Sequence, residues 1–574
     1  MFIKTTRAGK YEYIKLVESY WEDGRSKQRL LFNFGRADVI RKDESFLRIV
    51  KRLCEISELS GAGRQPETDP LDECGEATLY NYGHLAYLQL WRELGIEGCL
   101  EEAEHGSKLS YSLARTTFLM VCQHLLEPMS KLATFERQSR YFNTPDIPLH
   151  HMYRALERLS NSKDEIEKSL FEYNYVRTNK AVEVVFYDLT TIHFESQLSD
   201  DELRNFGFSK AGKYNEVQVV LGMIIDSNGM PVGYELFKGN TYEGHTIVNT
   251  LEKIKKRFRI TRVVIVADRG LNYKDGLNKI KEAGYGYIMA AKIKGSSAAM
   301  AKKIFDKKGF VDVCDKEGNL VMSYKVMEHE NKFKDENGAW HVLQENMVVT
   351  YSPKRAKKDK SDRERMIEKA RSLLEKPETI ASTNNRGGRR YIDQTNKDKK
   401  KPLYALAESK IEEEAKFDGF YAIQTSEKTM SAAEVTDAYH TLWKIEESFR
   451  IMKSTLEIRP VYHSSPERIK GHFVVCFLAF LMERKMELLL KNKDIEDDCA
   501  SSPQRIQEAL NTMQLAAVPT SQGEKFIKVK PHGLAKKIFK CLGIAMPPNI
   551  STKNDLIGRF GLDKAPDYVQ MSIL

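Results

Sequence analysis

Tyr439, Glu446 and Lys453 recur every seven residues in the stretch Tyr439-His-Thr-Leu-Trp-Lys-Ile-Glu-Glu-Ser-Phe-Arg-Ile-Met-Lys453. On an α-helix seven residues are just under two turns, so the three side chains stack along one face. With Ile445 at zero and about 100° per residue, Leu442, Ile445, Phe449, Met452 and Leu456 fall between about −20° and 60°. That is a stripe made for burial. Tyr439, Glu446, Arg450 and Lys453 fall between about 80° and 140°, a polar row along its margin. Glu447, near about 200°, lies almost opposite the stripe and is expected to face solvent. A carboxylate, a phenol and two cations beside a buried surface suit a site that handles metal ions and phosphate. The same spacing also describes an ordinary amphipathic helix with i,i+4 and i,i+7 charges.

Two upstream segments weigh between these readings. Val182-Glu-Val-Val-Phe-Tyr-Asp188-Leu-Thr190 and Arg262-Val-Val-Ile-Val-Ala-Asp268-Arg-Gly270 each run almost continuously apolar into a carboxylate. Both read as short buried strands bounded by turn formers. A strand covered on both faces cannot hold an unpaired carboxylate in its middle, because desolvation costs too much. Asp188 and Asp268 are therefore expected at strand ends, where α/β sheets place their ligands. With Glu446 they make three carboxylates, enough for a pair of divalent cations. Hard oxygen donors with no neighbouring Cys favour Mg2+ or Mn2+ over zinc.

The elements around these residues follow a definite order. Val217–Asp226 and Pro231–Phe237 flank Ser227-Asn-Gly229 and predict an antiparallel hairpin. A helix near Thr246–Phe258, the Asp268 strand, a helix over Tyr273–Ala283 and a strand over Tyr285–Ala291 complete a mixed α/β sheet covered by helices.

With these residues in this order, the chain resembles bacterial insertion-sequence transposases of the DDE type. Within them it is similar to the group marked by Tyr-x2-Arg-x3-Glu-x6-Lys. Asp188, Asp268, Glu446, Tyr439 and Lys453 match, as does the local wording Asp268-Arg269 and Ile445-Glu446-Glu447. The likeness is close over 182–295 and 415–482 and holds by layout elsewhere. One position departs: the motif's Arg is Leu442, in the apolar stripe, and Arg450 is better placed than Lys444 to supply a cation.

The resemblance implies a ribonuclease H-like mixed sheet interrupted by a β-rich insertion. It implies cutting at the ends of a mobile element and joining of 3′-hydroxyls to target DNA, with two Mg2+ or Mn2+ ions on Asp188, Asp268 and Glu446. Tyr439, Arg450, Lys453, Arg269 and Tyr421 are the implied DNA contacts. Tyr421 stands where some relatives carry a Trp that stacks on a flipped base. The implied partners are terminal inverted repeats, target DNA, and a second copy of the chain when ends are paired. A nuclease that only cleaves and a degenerate relative that only binds DNA are the alternatives.

Composition agrees with a polyanionic partner: 574 residues carry a formal charge of +9, with pI near 8.8. Residues 351–401 hold 17 Lys/Arg against 8 Asp/Glu, an excess equal to that of the whole chain. Eight scattered cysteines without a Cys-x-x-Cys pair argue against structural zinc. Met1-Phe-Ile-Lys-Thr-Thr-Arg does not open like a signal peptide, and the longest apolar run, Phe473–Met482, is ten residues. A soluble, reduced, cytoplasmic protein with no membrane contact is expected.

The expected domains are a basic β module (1–65) and a helical, DNA-end-binding region (75–180) with helices near 82–94, 110–126 and 149–172. A polar linker at 61–70 ends the first of them. The core occupies 181–300 and 416–484, around an insertion at 301–415 with strand-like stretches at 320–327, 340–344 and 346–351 and a charged helix over 361–376. A mostly helical C-terminal tail, 485–574, turns strand-like near 525–530 and serves DNA contact or dimerisation.

Overall fold

The computed structural model describes residues 2–22, 25–56, 76–105, 109–179, 182, 184–194, 198–200, 202–207, 216–241, 246, 250, 253, 257, 258, 264–268, 274–315, 317–334, 338–380, 387–396, 402–459, 461–492, 502–520 and 523–562. The 61–70 linker and Arg269 lie outside them. Two compact units are formed, Met1–Ala77 with Val518–Lys525, and Thr78–Ala517 with Phe526–Leu574. In the first, strands Phe2–Ala8, Tyr11–Glu22 and Arg25–Arg36 make an antiparallel meander. A helix, Glu44–Ile56, follows them.

The second unit is built on a nine-stranded mixed sheet. Its strands are β1 (Val184–His193), β2 (Gln218–Asp226), β3 (Pro231–Lys238), β4 (Val264–Ala267), β5 (Gly286–Ala290), β6 (Val311–Cys314), β7 (Leu320–Lys334), β8 (Trp340–Tyr351) and β9 (Phe420–Thr425). Their spatial order is 6-7-8-9-5-4-1-2-3. The first five therefore lie 3-2-1-4-5, with β1 antiparallel to β2, β2 to β3, and β1, β4 and β5 parallel. The β2–β3 turn closes because Gly229 takes φ +85° and Asp226 accepts the N–H groups of Asn228 and Met230 at 2.9 and 2.8 Å. Parallel β1 and β4 require a crossover, and helical residues Thr246, Thr250, Lys253, Arg257 and Phe258 lie on it.

The insertion does not stand apart as its own β body. Strand β8 pairs antiparallel with β9, Thr350 opposite Tyr421, so β6, β7 and β8 extend the same sheet. An edge strand's open N–H and C=O groups need partners, and the insertion supplies them.

Helices cover both faces. We number α1 (Leu113–Leu126), α2 (Leu149–Asn161), α3 (Pro353–Leu374), α4 (Ala432–His440), α5 (Trp443–Ser454) and α6 (Pro466–Asn492). The pattern over 149–172 breaks at Ser162, where α2 gives way to Lys163–Phe171. Helix α6 packs against α1, α2, α5 and β3, so its run Phe473–Met482 is apolar on every side because every side is covered. Its Gly471 lies so close to α2 that a Cβ there would come 1.9 Å from the Leu156 carbonyl oxygen. Among the described residues no helix is long and apolar enough to cross a membrane. In the tail, Gln514–Val518 pairs with Thr78–Asn81, and Lys525–Lys528 with Ile550–Ser551.

A buried ion cluster ties the helical region to the sheet. Arg257 donates to Glu167 of helix Lys163–Phe171, to Asp164 and, at 2.9 Å, to Glu235 of β3. Lys163 lies 3.2 Å from Glu167 and 3.4 Å from Glu235, and Lys253 lies 2.6 Å from Glu235. Removing one partner from a buried pair costs about 3–5 kcal/mol. Arg257→Ala should therefore lower the thermal unfolding midpoint by several degrees. Arg450→Ala, at a pair where the Arg side chain is 73% exposed, should leave it unchanged. Equal midpoints would mean that the cluster does not hold the two parts together.

Candidate active site

Tyr187 of β1 stands in parallel register with Ala267, the last residue of β4. Asp188 is the next residue of β1 and Asp268 the first residue past β4, so backbone register brings both to the same level of the sheet. Asp188 does not end its strand as expected, since β1 runs on to His193. The reason is local: among the described residues the pairing with β4 ends at Tyr187–Ala267, while β2 continues alongside with Met223 opposite Asp188. The carboxylate is thus half-buried inside a strand that has lost one neighbour, and Asp268 is exposed.

Side chains alternate across a strand. Tyr187, Leu189 and Ala267 join the cluster with Phe258, Leu277 and Ile280 on one face. Phe186 and Ile192 pack on the other, with Ile445, Phe449 and Met452 of α5. Asp188 and Thr190 share this second face. Helix α5 is anchored there at both ends. Lys444 Nζ donates to the Ser227 carbonyl at 2.6 Å, beside the β2 end that pairs with Val185, and Lys453 Nζ donates to Thr190 Oγ1. The helix therefore runs along β1, with Glu446 between the two anchors.

The expected stripe is present: Leu442, Ile445, Phe449, Met452 and Leu456 are all buried. Ser448 and Ile451 are buried too, because α6 covers a second side of the helix. This reverses the expectation for Glu447. Its side chain is only 24% exposed and lies 3.3 Å from Arg484 of α6 and 3.3 Å from Arg450, whereas Glu446 is exposed. Arg450 thus pairs with Glu447, and Leu442 remains 7% exposed at the head of α5.

Tyr439 does not share a helix with Glu446. Helix α4, opened by a Ser431–Glu434 capping box, ends at His440. The bonds Leu442 N to Tyr439 O, Lys444 N to Thr441 O and Ile445 N to Leu442 O span three residues, which tightens the chain just after Tyr439. Its hydroxyl instead donates to Asp268 Oδ1 at 3.5 Å, and Tyr421 donates to Tyr439 at 2.7 Å. Burial pushes the Tyr439 phenol well up, with Tyr421 and the Asp268 carboxylate adding to it, so it stays a donor at neutral pH. Burial also lowers the Lys444 ammonium.

Asp268, Tyr439 and Tyr421 thus form one hydrogen-bonded chain, Asp188 follows Tyr187 on the neighbouring strand, and Lys453 bonds Thr190, two residues past Asp188. Among the described residues, no three His, Cys, Asp or Glu side chains stand close enough together to hold a metal ion. The donor set nevertheless fits a hard cation: carboxylate oxygens with no Cys or His among them, two of the three exposed. Thr190, Arg355 and Arg484 escaped the sequence reading. Only Thr190 carried a signal, its position two residues past Asp188 and so on the same face.

No curated protein sequence matches the chain. Among solved structures, a piggyBac transposase synaptic complex with hairpin DNA, studied by cryo-electron microscopy, is similar at 8% identity and a TM-score of 0.34. The match covers 76% of this chain and 82% of that one. The IS1634 family transposase N-terminal domain matches residues 2–62, and the Transposase DDE domain matches residues 182–482, from the approach to β1 into α6. The second match spans more than half of the chain, and the protein belongs to the DDE-type transposases of insertion sequences.

Proposed function

We propose that the protein cuts DNA at the ends of its own mobile element and joins the freed 3′-hydroxyls to target DNA by phosphoryl transfer. The observation that carries this reading is the parallel register of Tyr187 with Ala267, the residues just before Asp188 and Asp268, with α5 anchored along β1. The strand order 3-2-1-4-5 supports a ribonuclease H-like core. Asp188, Asp268 and Glu446 would hold two Mg2+ or Mn2+ ions, which when bound stabilise charge on the phosphoryl oxygens.

The chain's own groups do the positioning. Lys453 and Arg450, on the helix that carries Glu446, hold flanking phosphates. Arg269, next to Asp268, joins them. The cations of α3, which opens Pro353-Lys-Arg-Ala-Lys-Lys, track the backbone of the duplex. Pairing of two ends requires a second copy of the chain, and the substrate places the reaction in the bacterial cytoplasm. The decisive assay is incubation of purified protein with Mg2+ and its flanking inverted repeats. New 3′-hydroxyl ends followed by joined products support the reading, and cutting without joining would mark a nuclease instead.

Asp188→Ala, Asp268→Ala and Glu446→Ala should each abolish cutting and leave end binding intact, because metal ligands act as a unit. Glu447→Ala should keep cutting while lowering the unfolding midpoint, since it strips Arg484 of a partner. A dead Glu447→Ala beside an active Glu446→Ala would move the acid by one residue.

Lys453→Ala should weaken end binding and reduce the slope of log affinity against log salt by about one. Thr190→Val removes the Lys453 anchor without removing the charge, and should leave that slope unchanged. The same loss of slope in both variants would make Lys453 an anchor and no phosphate contact.

A further inference from the structure

Asp268 follows the end of β4 as an exposed carboxylate, yet it accepts a hydrogen bond from α4, the helix that follows β9. Tyr439 Oη donates to it at 3.5 Å, and Tyr421 Oη donates to Tyr439 at 2.7 Å. The Tyr421 ring in turn lies under the guanidinium of Arg355, 4.4 Å from its centroid. Arg355 belongs to the first turn of α3, the basic helix of the insertion.

That helix is mounted on the approach to β9. Asp359 accepts the Gly419 N–H at 3.1 Å, Arg363 pairs with Asp418, and Ser352 N–H donates to the Gly419 carbonyl at 3.0 Å. Gly419 takes φ +84°, and a Cβ there would come 2.8 Å from the Ala356 Cβ and from the Tyr351 ring, so the contact accepts only glycine. Tyr421, two residues on, is therefore fixed by β8 pairing on one side and by α3 above. Its ring face is occupied by a cation, and its hydroxyl is committed to Tyr439.

We infer that Tyr421 and Tyr439 are positioning residues that orient the Asp268 carboxylate, and that Arg355 couples the insertion helix to this relay. The inference rests on the reading of Asp268 as a metal ligand. It assigns Tyr421 a role through its hydroxyl rather than through a flat face offered to DNA. A ligating carboxylate depends on its hydrogen-bonded partner for orientation, and loss of such a partner typically weakens metal affinity by about 10–100-fold.

The test is Mn2+ titration of the DNA-free full-length protein, followed by electron paramagnetic resonance, with the Mg2+ dependence of end cutting measured beside it. Tyr439→Phe and Tyr421→Phe keep the rings and remove only the hydroxyls, so folding is preserved, and unfolding midpoints check this. Each should weaken Mn2+ binding about tenfold and raise the Mg2+ needed for half-maximal cutting. The double variant should lose no more than the worse single one, as expected for residues in one chain. Arg355→Gln should show a smaller loss in the same direction, and Tyr421→Trp should fail to restore either readout.

Wild-type Mn2+ affinity in both Tyr→Phe variants would overturn the relay. Full cutting by Tyr421→Trp, with Tyr421→Ala inactive, would overturn it in favour of stacking on a base. If the parent protein bound Mn2+ but neither cut nor joined DNA, the proposed function would fail, and the affinity measurements would still judge the relay.

Discussion

The desolvation of carboxylates is the constraint on which this arrangement turns. Asp188 sits within a sheet whose neighbouring strands are almost wholly buried, where an unsolvated charge is costly. The described pairing of β1 with β4 ends at Tyr187–Ala267, one residue before both acids. The sheet interior therefore stays apolar up to that pair and opens just beyond it. Parallel register then does what neither strand can do alone, bringing two carboxylates from segments 80 positions apart to the same level of the sheet.

The third acid depends on helix packing. Helix α5 is set on β1 by an apolar stripe below, by lysines at both ends, and by α6 at its flank through Arg484 and Glu447. Helix α6 is also the element against which α1 and α2 pack, so the helical region and the acid-bearing helix share one buried support. The Arg257 cluster adds a polar tie between the same region and β3. Helix α5 is thus fixed on three sides and open on one, and Glu446 is on the open side.

The insertion contributes to the core as well as interrupting it. Its strand β8 completes the edge of β9, and its basic helix is held against Asp418 and Gly419. That mount puts a guanidinium on Tyr421 and leaves the Tyr421 hydroxyl aimed at Tyr439 and, through it, at Asp268. A guanidinium of the basic helix and the Asp268 carboxylate are thereby linked through two phenols.

Sequence alone determined what depends on near neighbours along the chain. The alternating and continuous apolar runs marked β1 to β5, the Ser-Asn-Gly turn marked the β2–β3 hairpin, and the period of the stripe marked the buried side of α5. The three candidate acids were legible for the same reason, each standing at the edge of an apolar pattern. Tertiary structure decided what depends on distant partners. Whether Asp188 ended its strand turned on where β4 stops, and the burial of Glu447 on an arginine 37 residues away. Tyr439 stands on a helix separate from that of Glu446, and its hydroxyl meets a carboxylate 171 residues earlier, a partner no helical periodicity can reveal. The insertion's strands read correctly as strands, but their place in the main sheet came from the unpaired edge of β9, a backbone property that side-chain patterns do not record.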